Sequence, residues 1–197
     1  MRFLEGALIK HMNIWNRLAW VYDRIFAPPL NRDIAIIKEL GDFKKTDAVL
    51  DFGGGTGRVA AAIKNAVKKV IVFDVSPKMA ARAREKGIEA EVSPSLPTRF
   101  PDASFDTVLV IEAFHHIVDQ DACLREIYRI LKPGGILILE EPDLNSWVRY
   151  WLWIEKLFDT VHYHRTEEWT ELLLRFGFHV EAERNKEPMY FVRARKS

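Results

Sequence analysis

The stretch Val49-Leu50-Asp51-Phe52-Gly53-Gly54-Gly55-Thr56-Gly57-Arg58 limits what this chain can fold into more than any other. A short apolar run passes into glycines and then into a helix-forming segment, Val59 to Val67. Glycine admits positive φ and lets a ligand approach the backbone closely. A helix that starts behind such a bend presents unpaired N–H groups and the positive end of its dipole. Strand, glycine bend and helix together are a ligand-binding unit of open α/β sheets.

The surrounding pattern fits such a sheet. Residues 70–74 (Val-Ile-Val-Phe-Asp) are continuously apolar up to Asp74, as in a strand covered on both faces. Ser76-Pro77 caps a helix that runs to Lys86 and is ended by Gly87. Ile88–Val92, Phe105–Ile111 and Gly135–Glu140 read as further strands. Asp119–Leu131 reads as a helix that stops before Pro133. Alternating strands and helices imply parallel pairing with right-handed crossovers. Towards the N-terminus, about 13–40 reads as two helices broken at Pro28-Pro29, the second from Leu30 to Leu40 with Gly41 as its cap. Beyond residue 141, Asn145 to about Val161 reads as an aromatic-rich helix. Thr166 is the candidate cap of a second helix. Phe178–Arg184 and Met189–Ala194 form a hairpin that places an antiparallel strand at or near the sheet edge.

Spacing separates the ligand classes that use a glycine bend. A phosphate loop needs Gly-x-x-x-x-Gly-Lys-Ser/Thr, and no Gly-Lys pair follows here. A dinucleotide bend needs Gly-x-Gly-x-x-Gly. Its third glycine falls on Arg58 when counted from Gly53, and on Ala60 when counted from Gly55. The segment does fit acid-x-Gly-x-Gly-x-Gly, filled by Asp51, Gly53, Gly55 and Gly57. Asp74 follows at the distance, about 20 residues, where an acid can accept ribose hydroxyls. The plainer reading of Asp74 or Ser76 is a helix cap.

These two segments resemble the first and second motifs of the class I S-adenosylmethionine-dependent methyltransferases. Residues 73–79 (Phe-Asp-Val-Ser-Pro-Lys-Met) carry the second. Leu96-Pro97 and Phe100 to Asp106 are similar to the approach to the family's fourth strand. Ala113-Phe114-His115-His116-Ile117, Arg125-Glu126-Ile127 and Leu131-Lys132-Pro133-Gly134-Gly135 are similar to the ubiquinone/menaquinone-biosynthesis-like branch (methyltransferase type 11). Trp15-Asn16-Arg17 through Tyr22-Asp23 resembles that branch's N-terminal cap. The likeness implies a Rossmann-like, doubly wound α/β sheet, mostly parallel with a C-terminal antiparallel strand, helices on both faces and an N-terminal helical cap. One domain then spans 1–197: a cap over 1–40, a cofactor-binding core over 41–141, and acceptor-side helices with the hairpin over 142–197.

The resemblance also implies S-adenosylmethionine as cofactor, held by Tyr22, Asp51, Gly53, Gly54, Gly55, Gly57, Asp74, Val75, Met79, Ser93, Ile111 and Glu112. Asp51 would serve the amino-acid tail, Asp74 the ribose, and Val75 and Met79 the adenine. Tyr22 either closes over the cofactor or is a core aromatic. The chain departs from the family after its third strand, where an acid usually meets the adenine amino group. Here that stretch is Glu91-Val92-Ser93-Pro94-Ser95, so Ser93 or a backbone carbonyl would substitute, and Thr98-Arg99 lengthen the loop.

His115 and His116 follow the fourth strand at its carboxyl end, where open α/β sheets bind ligands. His116 is the better placed as base or acceptor-orienting group; the alternative is that a histidine packs or caps the next helix. His162, Tyr163, His164 and Arg165 read as a solvated loop, with acceptor lining as the other reading. No metal site is expected. Trp147, Trp151 and Ile154 share a helical face that reads as core, or as a lid over an apolar acceptor. The single cysteine, Cys123, reads as an apolar filler.

Composition narrows the partner. A formal net charge of +1 gives no field for nucleic acid, so a small acceptor, apolar or aromatic, is expected. No apolar stretch reaches the roughly 18 residues of a membrane span, and a cytoplasmic location follows by default. An RNA or protein methyltransferase and a cofactor-binding module without turnover are the rival readings. Oligomeric state is not legible.

Overall fold

A computed structural model describes residues 16–17, 33–93, 95–147, 153 and 161–197. Most of the expected N-terminal cap, including Tyr22, and most of the aromatic segment 145–161 lie outside the described residues.

The chain builds α1 (Ile34–Gly41), β1 (Ala48–Phe52), α2 (Arg58–Ile63), β2 (Lys69–Asp74), α3 (Pro77–Glu85) and β3 (Glu89–Val92). There follow β4 (Phe105–Ile111), a 3₁₀ turn (Phe114–His116), α4 (Gln120–Ile130) and β5 (Leu131–Pro142). A second 3₁₀ turn (Thr166–Glu168) leads into α5 (Trp169–Arg175), β6 (Phe178–Lys186) and β7 (Met189–Lys196). The seven strands lie in the order β3-β2-β1-β4-β5-β7-β6. All pairs among β1 to β5 are parallel, and β7 runs antiparallel to both β5 and β6. The sheet is therefore Rossmann-like and doubly wound, and the hairpin puts its antiparallel strand one place in from the edge. The strand order reverses between β1 and β4. The cleft outside their carboxyl ends is where such sheets take ligands.

Strand alternation sorts side chains onto two cores. Val49, Val72, Leu109, Ile138 and Phe191 face α1, α2 and α3. Leu50, Phe73, Val108, Leu137 and Val192 face α4 and α5. Both faces are covered, which explains the unbroken apolar runs in β1, β2 and β4. Cys123 is buried on α4, and burial pushes its thiol pKa well up, as suits a filler.

Several boundaries differ from the sequence reading. Gly41 is the last residue of α1 rather than its cap; the cap is Asp42, in the left-handed conformation with φ 43°. Gly41 is needed for space, because a Cβ there would meet the Phe43 ring at 2.3 Å. α2 ends at Ile63, short of Val67. β5 begins at Leu131 and runs to Pro142, with a register irregularity near Phe105 where it meets β4. Thr166 does not cap the helix after it: its hydroxyl accepts from Asn145, while Glu168 accepts the Arg165 N–H at 2.9 Å. Trp147 is 57% exposed and Trp153 66%, so the core reading fails at Trp147; Trp151 and Ile154 lie outside the described residues. Among the described residues no helix is long and apolar enough to cross a membrane.

Leu137 is fully buried in β5. Leu137→Ala is expected to cost about 2–5 kcal/mol, measured by urea unfolding followed by circular dichroism.

Candidate active site

The glycine bend joins β1 to α2 at the reversal point of the sheet. Gly53, Gly55 and Gly57 all have positive φ, 73°, 54° and 71°. At Gly57 a Cβ would press on Ala83 of α3 at 3.0 Å, so this glycine lets the two helices approach. A Cβ at Gly55 would meet nothing within 4 Å, so the bend faces open space there. Gly54 lies over Asp51, whose carboxyl carbon would stand 2.5 Å from a Cβ.

Asp51 is 1% exposed. Its Oδ2 accepts the Ala60 N–H at 3.3 Å, and its Oδ1 has no hydrogen-bond partner among the described residues. Burial raises its pKa to about 7, against the opposing pull of the Arg58 charge and the Ala60 N–H. The amide that the helix start was expected to offer a ligand is thus already taken by Asp51. Asp74 sits across the bend at the end of β2. Its Oδ2 accepts the Gly55 N–H at 2.9 Å and its Oδ1 accepts the Ser76 N–H at 2.7 Å. Both readings of Ser76 and Asp74 as structural groups therefore hold in part. Ser76 Oγ caps α3 by accepting from Met79 N, while Asp74 ties the glycine bend to β2.

Val75 is half-buried beside Asp74, whereas Met79 is 2% exposed and packed inside. The Ser93 hydroxyl closes a local turn with Ser95. Ile111 is buried at the end of β4. Glu112 follows with φ 51° and donates its N–H to the Glu140 carbonyl at 2.8 Å. Burial lifts its pKa to about 7, while Arg58 and His115 pull the other way. Asn16 reaches this side from the N-terminal segment, its Oδ1 accepting from Ser76 Oγ at 2.8 Å.

His115 and His116 are both buried in the 3₁₀ turn after β4. Their neighbour Ala113 lies against Gly53, where a Cβ would come within 2.6 Å, so the turn borders the bend. His115 Nδ1 is 2.6 Å from Glu141 Oε2, and Glu141 Oε1 accepts the Phe114 N–H at 2.8 Å. The His115 ring stacks on Tyr163 at 4.8 Å and 21°. Gln120 ties the segment down: Nε2 donates to the Phe114 and His162 carbonyls, and Oε1 contacts His164 Nε2. The 162–164 stretch is therefore docked against the turn, and the solvated-loop reading fails for Tyr163 and His164. No metal-holding group of His, Cys, Asp and Glu occurs among the described residues.

The sequence reading missed Glu140 and Glu141. Glu140 is 0% exposed, and burial, with Glu112 and Asp33 beside it, drives its pKa well up. The available signal was two acids closing the apolar run of β5, at the sheet end where ligands sit.

A methyltransferase-domain family model matches residues 50–139, the span that holds the bend, Asp74, Glu112 and the histidine turn. The chain belongs to the class I S-adenosylmethionine-dependent methyltransferases, in the UbiE-like branch. It is 34% identical over 137 residues to UbiE, the ubiquinone/menaquinone biosynthesis C-methyltransferase of Escherichia coli, covering 61% of this chain and 51% of UbiE. It is 30% identical over 164 residues to the methyltransferase YcgJ of Bacillus subtilis, covering 75% of this chain and 62% of YcgJ. The chain thus spans between half and two thirds of the length of these relatives. An S-adenosylmethionine-dependent methyltransferase structure from Thermotoga maritima superposes with a TM-score of 0.76 at 27% identity, covering 95% of this chain and 100% of that one.

The raised acids give this protein a pH signature. A carboxyl whose folded pKa lies above its unfolded value contributes stability at low pH and loses it as pH rises through the folded value. For Asp51 that window runs from about 3.8 to about 7, and the loss is on the order of a few kcal/mol. Asp51→Asn should flatten this stretch of the stability curve. Thermal melts at pH 5 and pH 8 check it; an Asn variant with the wild-type slope would contradict the burial argument.

Proposed function

We propose that this chain transfers the methyl group of S-adenosylmethionine to a small acceptor, apolar or aromatic, by in-line displacement. One observation carries the reading. The buried carboxylates of Asp51 and Asp74 flank a glycine bend that opens to free space at Gly55. The donor set suits the cofactor: the orphan Asp51 Oδ1 is an acceptor for an ammonium, and Asp74 for ribose hydroxyls. The bend residues Gly53, Gly54, Gly55 and Gly57 would bring the backbone close to the amino-acid tail. Ile111 and Glu112 would form the floor at β4. Val75 is better placed than the packed Met79 to border the adenine, with Ser93 beside it and Tyr22 contributed by the cap. The cap over 1–40, the core over 41–141 and the acceptor-side part over 142–197 would form one domain.

When bound, the cofactor supplies a sulfonium methyl, already electrophilic. The protein's task is then to hold the acceptor in line and keep water out. His115 and His116 stand on the acceptor side of the bend, walled by Tyr163. A nucleic-acid acceptor is disfavoured by the net charge of +1, and a cytoplasmic location fits this chemistry.

Isothermal titration with S-adenosylhomocysteine tests the site. Asp74→Ala should weaken binding by about 1–3 kcal/mol, because it strands hydroxyls that a charged acceptor would satisfy; equal affinity would remove Asp74 from the site. A second readout follows from Asp51, whose pKa of about 7 should fall when an ammonium arrives. Binding near pH 6 should release protons, seen as a dependence of the heat on buffer ionisation enthalpy. The release should fade above about pH 8. Turnover over a panel of quinol, phenol and amine acceptors tests the transfer itself.

A further inference from the structure

Resting on that reading, we propose that Asn16 is a positioning residue of the cofactor site. Through Ser76 it holds Asp74 in the orientation that takes the ribose hydroxyls, so a residue from the N-terminal part of the chain contributes to cofactor affinity along a line of hydrogen bonds.

The line is continuous and its direction is fixed. The Lys78 N–H can only donate, and it lies 3.3 Å from Asn16 Oδ1. That contact decides which end of the Asn16 amide faces α3: the oxygen, not the nitrogen. The Ser76 hydroxyl oxygen already accepts the Met79 N–H at 3.1 Å. Its single proton goes to Asn16 Oδ1 at 2.8 Å. The Ser76 N–H in turn donates to Asp74 Oδ1 at 2.7 Å, and Asp74 Oδ2 accepts the Gly55 N–H at 2.9 Å. Asn16 is thus joined to the glycine bend through Ser76 and Asp74.

The first turn of α3 explains why a distant residue is used. Pro77 has no N–H to satisfy, and Ser76 Oγ serves Met79. The Lys78 N–H is left without an acceptor inside the helix, and Asn16, 62 residues earlier, supplies one. Ser76 is 0% exposed and Asp74 8%, so little water competes for the bonds between them. A carboxylate already locked in its rotamer loses less freedom when a ligand arrives. Without the Asn16 oxygen the Ser76 hydroxyl is free to rotate, and the turn that orients Asp74 loses its outer support.

Calorimetric titration with S-adenosylhomocysteine tests the relay. Asn16→Ala should weaken binding about 3–10-fold, the share of one or two neutral hydrogen bonds; equal affinity overturns the proposal, whatever happens to the melting temperature. In an Asp74→Ala background the same change should cost nothing further, because the group it acts through is gone. An equal loss in both backgrounds places the effect elsewhere and overturns the proposal as well. Ser76→Ala is the second variant. It should weaken binding at least as much, and adding Asn16→Ala to it should cost no more, whereas additive losses break the relay. The two ideas stay apart in one experiment. Absence of binding by the wild-type protein defeats the cofactor reading; binding that Asp74→Ala weakens and Asn16→Ala does not defeats only the role of Asn16.

Discussion

The structure depends on a backbone bend stretched between two buried carboxylates. Asp51 lies under it at Gly54 and takes the Ala60 N–H; Asp74 lies across it and takes the Gly55 N–H. Burial is the main cost of the Asp51 charge, and repulsion from Asp74 adds a little to it. The arrangement persists because backbone amides and the Arg58 charge compensate in part. What remains, an Asp51 oxygen with no partner among the described residues, is the acceptor that the proposed cofactor's ammonium would meet. Folding and binding share one term here, since the group that burdens the empty protein is the one a ligand ammonium would satisfy.

The acid excess extends along the strand ends. Glu112, Glu140 and Glu141 follow β4 or close β5, and Asp33 starts α1 beside them. Glu141 is met by His115 and a backbone amide. Burial raises the Glu112 pKa against the pull of the Arg58 charge, and burial pushes the Glu140 carboxyl well up. Unpaired charge in a buried site is costly enough that neutralisation is the usual outcome. The strand ends are therefore electrostatically graded, with the Glu141–His115 pair at the histidine turn.

Much of this was legible in the order of residues. The glycine spacing, the acid closing β2 and the Ser76-Pro77 cap are local, because turn and cap preferences act over a few residues. The parallel core followed from apolar runs that only a sheet covered on both faces requires. Boundaries were less legible. Gly41 reads as a helix stop, yet Phe43 packs over it and Asp42 turns the chain. Thr166 reads as a cap, yet Asn145 claims its hydroxyl. In each case a contact from outside the local segment decided the outcome.

Sequence by itself determined the sheet, the bend and the pair of acids beside it, because each rests on backbone preferences and near neighbours. Only tertiary structure decided that Asp51 loses its water, that Met79 turns inward, and that Tyr163 and His164 dock on the histidine turn. It alone brought Glu141 to His115 across 26 residues of chain. The physical reason is that burial and charge pairing are properties of the space between elements, which spacing along one chain does not encode.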